Sequence, residues 1–359
     1  MAHKPDRTWL LVGSGLLLLT FLRPRPPATE KPVMPTSTTR TPVSETDPPV
    51  GRSASSPVEI PARGWWQIAK RVIGAVMEDR VLAVAAGMTF FLLLAFVPSI
   101  TAFVSIYGLF ADRATVTNHM ALLAEVLPEQ SLSIVNDQVT RIASTDATTM
   151  TFASIFSLLV AMWSANGGVK AMIEALNVAY NEREKRSYVM LNLISMTMMI
   201  GGVILILVMI AAVAVLPAVL SFLSIETGGG QTSALLIRWP VIFLVMMATL
   251  AGLYRFGPSR RSARWRWISP GAVFASVALV IFSVAFSIYA SNFANFNETY
   301  GSLGALMGLL MWLWLSSVIV LVGAEINSET EKQVSDDSTV GPDRPMGERE
   351  AHAADVIAH

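Results

Sequence analysis

The chain has 359 residues, 53% hydrophobic and only 14% charged, against a charged share of about 25% in soluble domains, so its composition points away from water. Its 26 basic and 26 acidic residues cancel, which excludes a bulk electrostatic pull toward nucleic acid. Cysteine is absent, which excludes disulfides, thiolate metal sites and cysteine nucleophiles; the four histidines, His3, His119, His352 and His359, never fall at the spacing of a zinc site.

The first 60 residues stand apart. An apolar run at 9–22, flanked by Lys4, Arg7, Arg23 and Arg25, has the length of a secretory h-region, yet no Ala-x-Ala site follows it. It reads as a short span or anchor, an interfacial segment or a signal peptide. Residues 23–60 carry nine prolines among Ser, Thr and charged residues and read as an extended, disordered linker without a core. From 63 to 80, Trp65, Trp66, Ile68, Val72, Ile73 and Val76 interleave with basic residues, as in a helix lying in the headgroup layer; a plain extension of the next span is the equal alternative.

A membrane span needs about 20 mostly apolar residues. Six stretches qualify: 81–110, 150–165, 188–220, 234–254, 268–290 and 302–324, the second continuing as helix to about residue 180. Lipid offers backbone groups no partner, so such segments must be helical. The expected fold is an all-α polytopic membrane helical bundle of six core spans (61–327), to which the 9–22 run would add a short N-terminal segment. Pro98, mid-span, removes a backbone hydrogen bond and marks a helix kink. Residues 114–143 keep helical apolar spacing around Pro128, as an amphipathic hairpin capping the outer face. Residues 328–359, polar and charged, read as a disordered cytoplasmic tail.

Thirteen Lys and Arg residues fall in alternate loops: Arg63, Lys70, Arg71 and Arg80; Lys170, Arg183, Lys185 and Arg186; Arg255, Arg260, Arg261, Arg264 and Arg266. The intervening loops hold Arg113 and Arg141, with Arg238 just inside the fourth span. Basic loops stay inside, so both ends of the core are expected in the cytoplasm. Trp65, Trp66, Trp239, Trp265 and Trp267 near the interfaces read as belt anchors.

The central thirds of the spans are nearly free of ionisable groups, which argues against a proton relay of buried carboxylates and against a voltage sensor. Functional candidates therefore sit at span ends. The stretch WSANGGVKAMIEALNVAY, 163–180, sets Asn166, Lys170, Glu174 and Asn177 three or four positions apart, on one helical face at the cytoplasmic mouth. Gly167 and Gly168 allow a close approach or a kink. Lys170 and Glu174 pair in the less favourable order and look for partners elsewhere; Arg80 and Arg255 are candidates to pair with Glu174 or Glu325. A solvated helix end is the bland alternative. In the last span, Gly301, Gly304 and Gly308 form a small-residue packing pattern, and VGAEIN puts Glu325 and Asn327 at its exit. No catalytic residue, metal-ligand set or cofactor motif stands out.

Three stretches in this order, DRVLAVAAGMTFFLLLAFVPSI, WSANGGVKAMIEALNVAYNEREKR and YGSLGALMGLLMWLWLSSVIVLVGAEIN, make residues 65–327 resemble the YihY/BrkB family of bacterial inner-membrane proteins, also labelled ribonuclease BN-like. The resemblance implies six helices, the plasma membrane and no settled biochemical activity, under a family name tied to virulence. For the nuclease label the chain offers no metal ligands, acidic cluster or basic groove with stacking aromatics. The expected function is a transporter or exporter of a small or amphipathic solute, in contact with the lipid bilayer, with no cofactor and no nucleic acid. A non-transporting envelope scaffold is the alternative, a membrane ribonuclease ranks last, and homo-oligomer formation stays open.

Overall fold

A computed structural model describes residues 50–107, 152–222, 230–292 and 303–358, all within the compact unit from Pro49 to His359. The apolar run at 9–22, most of the proline-rich linker, the hairpin at 114–143 and Gly301 lie outside the described residues. The helices are α1 (Ala62–Glu78), α2 (Val81–Tyr107), α3 (Phe152–Ala179), α4 (Tyr188–Phe222), α5 (Gly230–Phe256), α6 (Trp265–Asn292), α7 (Gly304–Glu331) and the one-turn α8 (His352–Asp355). Among the described residues there is no strand, only an isolated antiparallel bridge between Ala263 and Thr339.

The chain is an all-helical membrane bundle, and its surface says why. Phe90, Phe91 and Leu94 on α2, Val189, Leu193 and Ile204 on α4, and Ile281 and Val284 on α6 are exposed. Contiguous apolar faces of this kind are stable against lipid rather than water. By length and composition Tyr188–Leu205, Trp265–Ala290 and Leu306–Glu331 are each able to cross a membrane, and Ala62–Glu78 with Val81–Phe96, bent by 62°, makes a fourth candidate.

That bend rules out a straight extension of the next span for residues 63–80. α1 is a separate amphipathic helix that buries Ile68 and Val72 and exposes Trp66, Ile73 and Met77. It ends at Asp79, and Arg80 takes a left-handed backbone, φ +50°, that redirects the chain into α2. Pro98 lies inside α2, which continues as helix to Tyr107; the sharp turn of this region is at Asp79–Arg80.

α7 is the hub, packed against α1, α2, α3 and α6. Its crossing with α6 brings backbone onto backbone: a methyl at Gly271 would run into the Gly323 carbonyl oxygen, and one at Gly323 would sit 2.5 Å from the Tyr254 hydroxyl oxygen. Tyr254 Oη donates to the Val320 carbonyl at 2.8 Å, tying α5 to α7, and Trp314 Nε1 donates to Leu82 O at 3.1 Å, tying α7 to α2. Gly304 and Gly308 are buried. Gly168 faces Ala95 of α2, where a built Cβ would lie 2.9 Å from the Ala95 methyl, whereas Gly167 faces nothing. Trp267, expected in an interfacial belt, is buried in a small cluster with Ile68, Val72 and Val334.

The expected disordered tail is instead folded. Residues 332–358 lie back over the polar end of the bundle, with Val334, Ala351, Ala353 and Ala354 buried. Arg349 organises them: its guanidinium donates to the carbonyls of Arg344, Ser335, Asp336 and Ala354 at 2.8–3.2 Å. Backbone bonds from Val340 to Ser262 and from Arg264 to Ser338 stitch the segment to the α5–α6 loop. The end of the expected linker is also ordered, since Gln333 Nε2 donates to Val50 O at 2.7 Å and Ser335 N to Arg52 O at 2.8 Å. Low hydrophobicity predicts disorder only where polar groups lack intramolecular partners; here nearly every one has a partner.

Candidate functional site

The α3 ladder does not stay together. At 3.6 residues per turn, Lys170, Glu174 and Asn177 lie about 40°, 80° and 20° round the helix from Asn166. The structure follows that fan. Asn166 and Asn177 are buried, Lys170 is half-buried and Glu174, at the edge, is exposed with no side-chain partner among the described residues. Asn166 Nδ2 donates to Asn192 Oδ1 on α4 at 3.4 Å, while its own Oδ1 is buried without a donor. Lys170 Nζ lies 5.3 Å from the ring centroids of both Trp163 and Tyr188, a cation–π seat rather than an ion pair.

Asn177 is the organising member. Its Oδ1 accepts from Ser259 N at 2.7 Å and its Nδ2 donates to Glu184 Oε2 at 3.1 Å, so one amide joins α3 to the loops on either side of it. Glu184 also receives a fork from Arg186, with both N–O distances 2.7 Å. Burial alone would raise the Glu184 carboxyl, but the Arg186 side chain and backbone and the Asn177 amide outweigh it and hold the group down to about 2. A depressed carboxylate stabilises the fold above its unfolded value near about pH 4.3 and loses that contribution as pH falls toward 2. Glu184→Gln is therefore expected to narrow the difference in thermal midpoint between pH 7 and pH 3, which thermal scanning in detergent would read.

The other expected pairings do not form. Arg80 is exposed and carries no carboxylate partner among the described residues. Arg255 donates to the Ala263 carbonyl at 2.6 Å and stacks on Trp265 with its guanidinium carbon 4.5 Å from the ring centroid. Neither reaches Glu174 or Glu325. Glu325 and Asn327 are fully buried: Asn327 Oδ1 accepts from Gly271 N at 2.7 Å, while Glu325 faces Asp79 at the α1–α2 bend. The missed residues are Asp79, Tyr180, Glu182, Glu184, Arg186, Arg260, Glu329 and Glu331. Arg260 forks onto Glu331 at 2.6 and 3.2 Å with its guanidinium 4.4 Å from the Tyr180 ring centroid, and Arg71 meets Glu329 at 2.7 Å. The charge-dense NEREKR and SETEK runs were the available signal.

Between α4, the end of α5 and the α5–α6 loop lies a cleft of about 960 Å³. Leu193, Ile194, Met198 and Phe256 give it an apolar wall, and Lys185, Arg186, Arg255, Arg260 and Arg261 a basic one. Four of these cations have carboxylate neighbours: Lys185 with Glu182, Arg186 with Glu184, Arg260 with Glu331, and Arg261 3.7 Å from Asp337. Arg255 has none among the described residues and sets its charge against the apolar surface, while Glu350, also on the lining, bonds Arg344 at 2.7 Å. Among the described residues no group of three or more His, Asp or Glu is placed to hold a metal.

A lipid-compatible helical bundle closed at one end by a dense polar network is an integral membrane protein. The chain belongs to the BrkB virulence-factor family, whose model matches residues 72–347, past α7 and into the folded C-terminal segment. It is 35% identical over 182 residues to the ribonuclease-like protein YfkH of Bacillus subtilis, which covers 50% of this chain and 66% of that relative, slightly under two thirds of its length. UPF0761 membrane proteins of Vibrio parahaemolyticus and Delftia acidovorans are each 26% identical, over 269 and 271 residues, covering 74% of this chain and 82% and 62% of theirs. No solved structure matches the chain.

Proposed function

We propose that this is a non-catalytic transport protein of the bacterial inner membrane that moves an amphipathic solute, with α2 to α7 as its six spans and the polar end in the cytoplasm. The observation that carries the reading is the cleft beside α4. Its volume lies in the range of small-molecule sites, and it pairs an apolar wall, continuous with the lipid-facing side of α4, with the unpaired charge of Arg255. A solute with an apolar body and an anionic or polar head satisfies both. Of the ladder, Asn166 and Asn177 are assigned to holding α3 against its neighbours, and Arg255 to meeting the solute. A scaffold has no use for a half-apolar cleft at the bilayer boundary, and a nuclease would need more than the one carboxylate of the lining, Glu350, which is bonded to Arg344.

Thr197 is exposed on α4 and lines the cleft, so Thr197→Trp fills it without disturbing the core. Everted vesicles from cells overproducing the protein are expected to accumulate a solute class at least about tenfold over vesicles carrying Thr197→Trp, read by mass spectrometry of small molecules and lipids. Identical profiles in the two, with the variant folded and inserted, count against transport. Identical profiles together with specific crosslinked envelope proteins support the scaffold.

A further inference from the structure

Glu325 breaks the rule that buried polar groups are paired. Its side chain is fully buried, and neither carboxylate oxygen has a hydrogen-bond donor. A bare carboxylate so placed costs many kcal/mol, so the group must be compensated by something else. Within hydrogen-bonding reach is a second carboxyl, Asp79, which ends α1. Two carboxylates at that range cannot both keep their charge; with one proton between them, one is donor and the other acceptor, and the orphan is resolved.

Among the described residues no cation bonds either carboxyl, and Arg80, next to Asp79 in the chain, is exposed. Arg71 of α1 and Lys332, just past α7, both bond Glu329, at 2.7 Å each, and Arg71 also bonds Gln333. The other charged or titratable groups around the pair are Glu78 of α1, Tyr180 at the end of α3, and His352 of α8. Tyr180 Oη is buried beside Asn327 and in weaker electrostatic contact with Glu325. A cavity of about 480 Å³ lined by Glu78, Asp79, Asn181, Lys332 and His352 gives water access to the Asp79 side. Burial pushes the Asp79 carboxyl above the ordinary range, against the pull of the Glu325 hydrogen bond and the Lys332 charge.

We infer that Asp79 and Glu325 form a proton-binding site: one shared proton ties the α1–α2 bend to α7, and its release leaves two like charges that push α1 away. Asp79 sits beside Arg80, whose left-handed backbone makes the 62° turn, so a force between the carboxyls acts at the hinge itself. The site is separate from the cleft and stands whether or not the cleft carries a solute.

The chain has no native cysteine, so labels can be placed freely. Spin labels at Lys70→Cys on α1 and Arg183→Cys in the α3–α4 loop, both exposed, would follow the hinge in lipid nanodiscs between about pH 5 and pH 10. The expected result is a distance change with a one-proton midpoint, at which an infrared carboxylic-acid band that shifts in heavy water disappears. Glu325→Gln and Asp79→Asn, whose amides still donate to the remaining carboxylate, should hold the hinge closed at every pH. Glu325→Gln should also remove the band. If those variants do not fold, the infrared titration of the unaltered side chains decides alone. Absence of the band, a pH midpoint that moves when sodium replaces a bulky cation at fixed ionic strength, or loss of the transition in His352→Gln would overturn the assignment.

Discussion

Gly271→Ala is expected to lower the thermal midpoint of the purified protein more than any other single methyl added to its long helices. The new Cβ would overlap the Gly323 carbonyl oxygen, which is backbone, and lie 2.6 Å from Asn327 Oδ1, a side-chain oxygen held in place by its bond from Gly271 N. α6 and α7 would have to separate, at about 1–3 kcal/mol for the strain, and the Gly271 N to Asn327 Oδ1 bond would add about 1 kcal/mol. In lipid the loss is not recovered by water, because close packing is itself the main force between helices there. Gly87→Ala and Gly252→Ala supply the internal standard: a Cβ at either meets nothing within 4 Å, so both should be neutral or slightly stabilising. Equal midpoints for Gly271→Ala and Gly252→Ala would show that the crossing is looser than this geometry requires.

Arg260→Leu carries the second large effect. The Arg260 and Glu331 side chains are 1% and 0% exposed, so removing the cation strands a buried carboxylate, with Ser338 Oγ as its remaining donor at 2.6 Å. Breaking one side of such a pair costs about 3–5 kcal/mol. Replacing both partners removes the stranded charge, so Arg260→Leu with Glu331→Leu should recover most of the loss. The comparison separates a desolvation cost from a lost attraction. Chemical unfolding of the two variants in detergent would read it, and a double variant as unstable as the single would show that packing against Tyr180, not charge, is what Arg260 supplies.

The rods were legible and their fasteners were not. Stretches expected at 188–220, 234–254, 268–290 and 302–324 correspond to α4, α5, α6 and α7 within a few residues at most ends, because apolar length and its interruption by charge are local properties of a chain. α7 runs furthest past its expected end, to Glu331, since a helix packed on four neighbours need not stop where apolar residues stop. Of the candidate cluster, Asn166, Asn177, Glu325 and Asn327 are buried, where the sequence placed them only at helix ends facing the cytoplasm. Their partners were not legible. Asn177 joins Ser259, Glu325 faces Asp79, and Arg71 meets Glu329 across separations of 82 residues or more, and no local spacing encodes such meetings. Gly271 and Gly323 went unnoticed for the same reason: neither falls in a small-residue repeat with a neighbouring glycine, and only the crossing makes them a pair.

The folded C-terminal segment also dates the molecule's assembly. Its residues follow all the long helices in the chain, yet they supply Ser338 to Glu331, the Glu350 carbonyl to Arg261 and the His352 amide to Glu182. The charged groups after α3, after α5 and at the end of α7 therefore stay unlatched until this segment has been made.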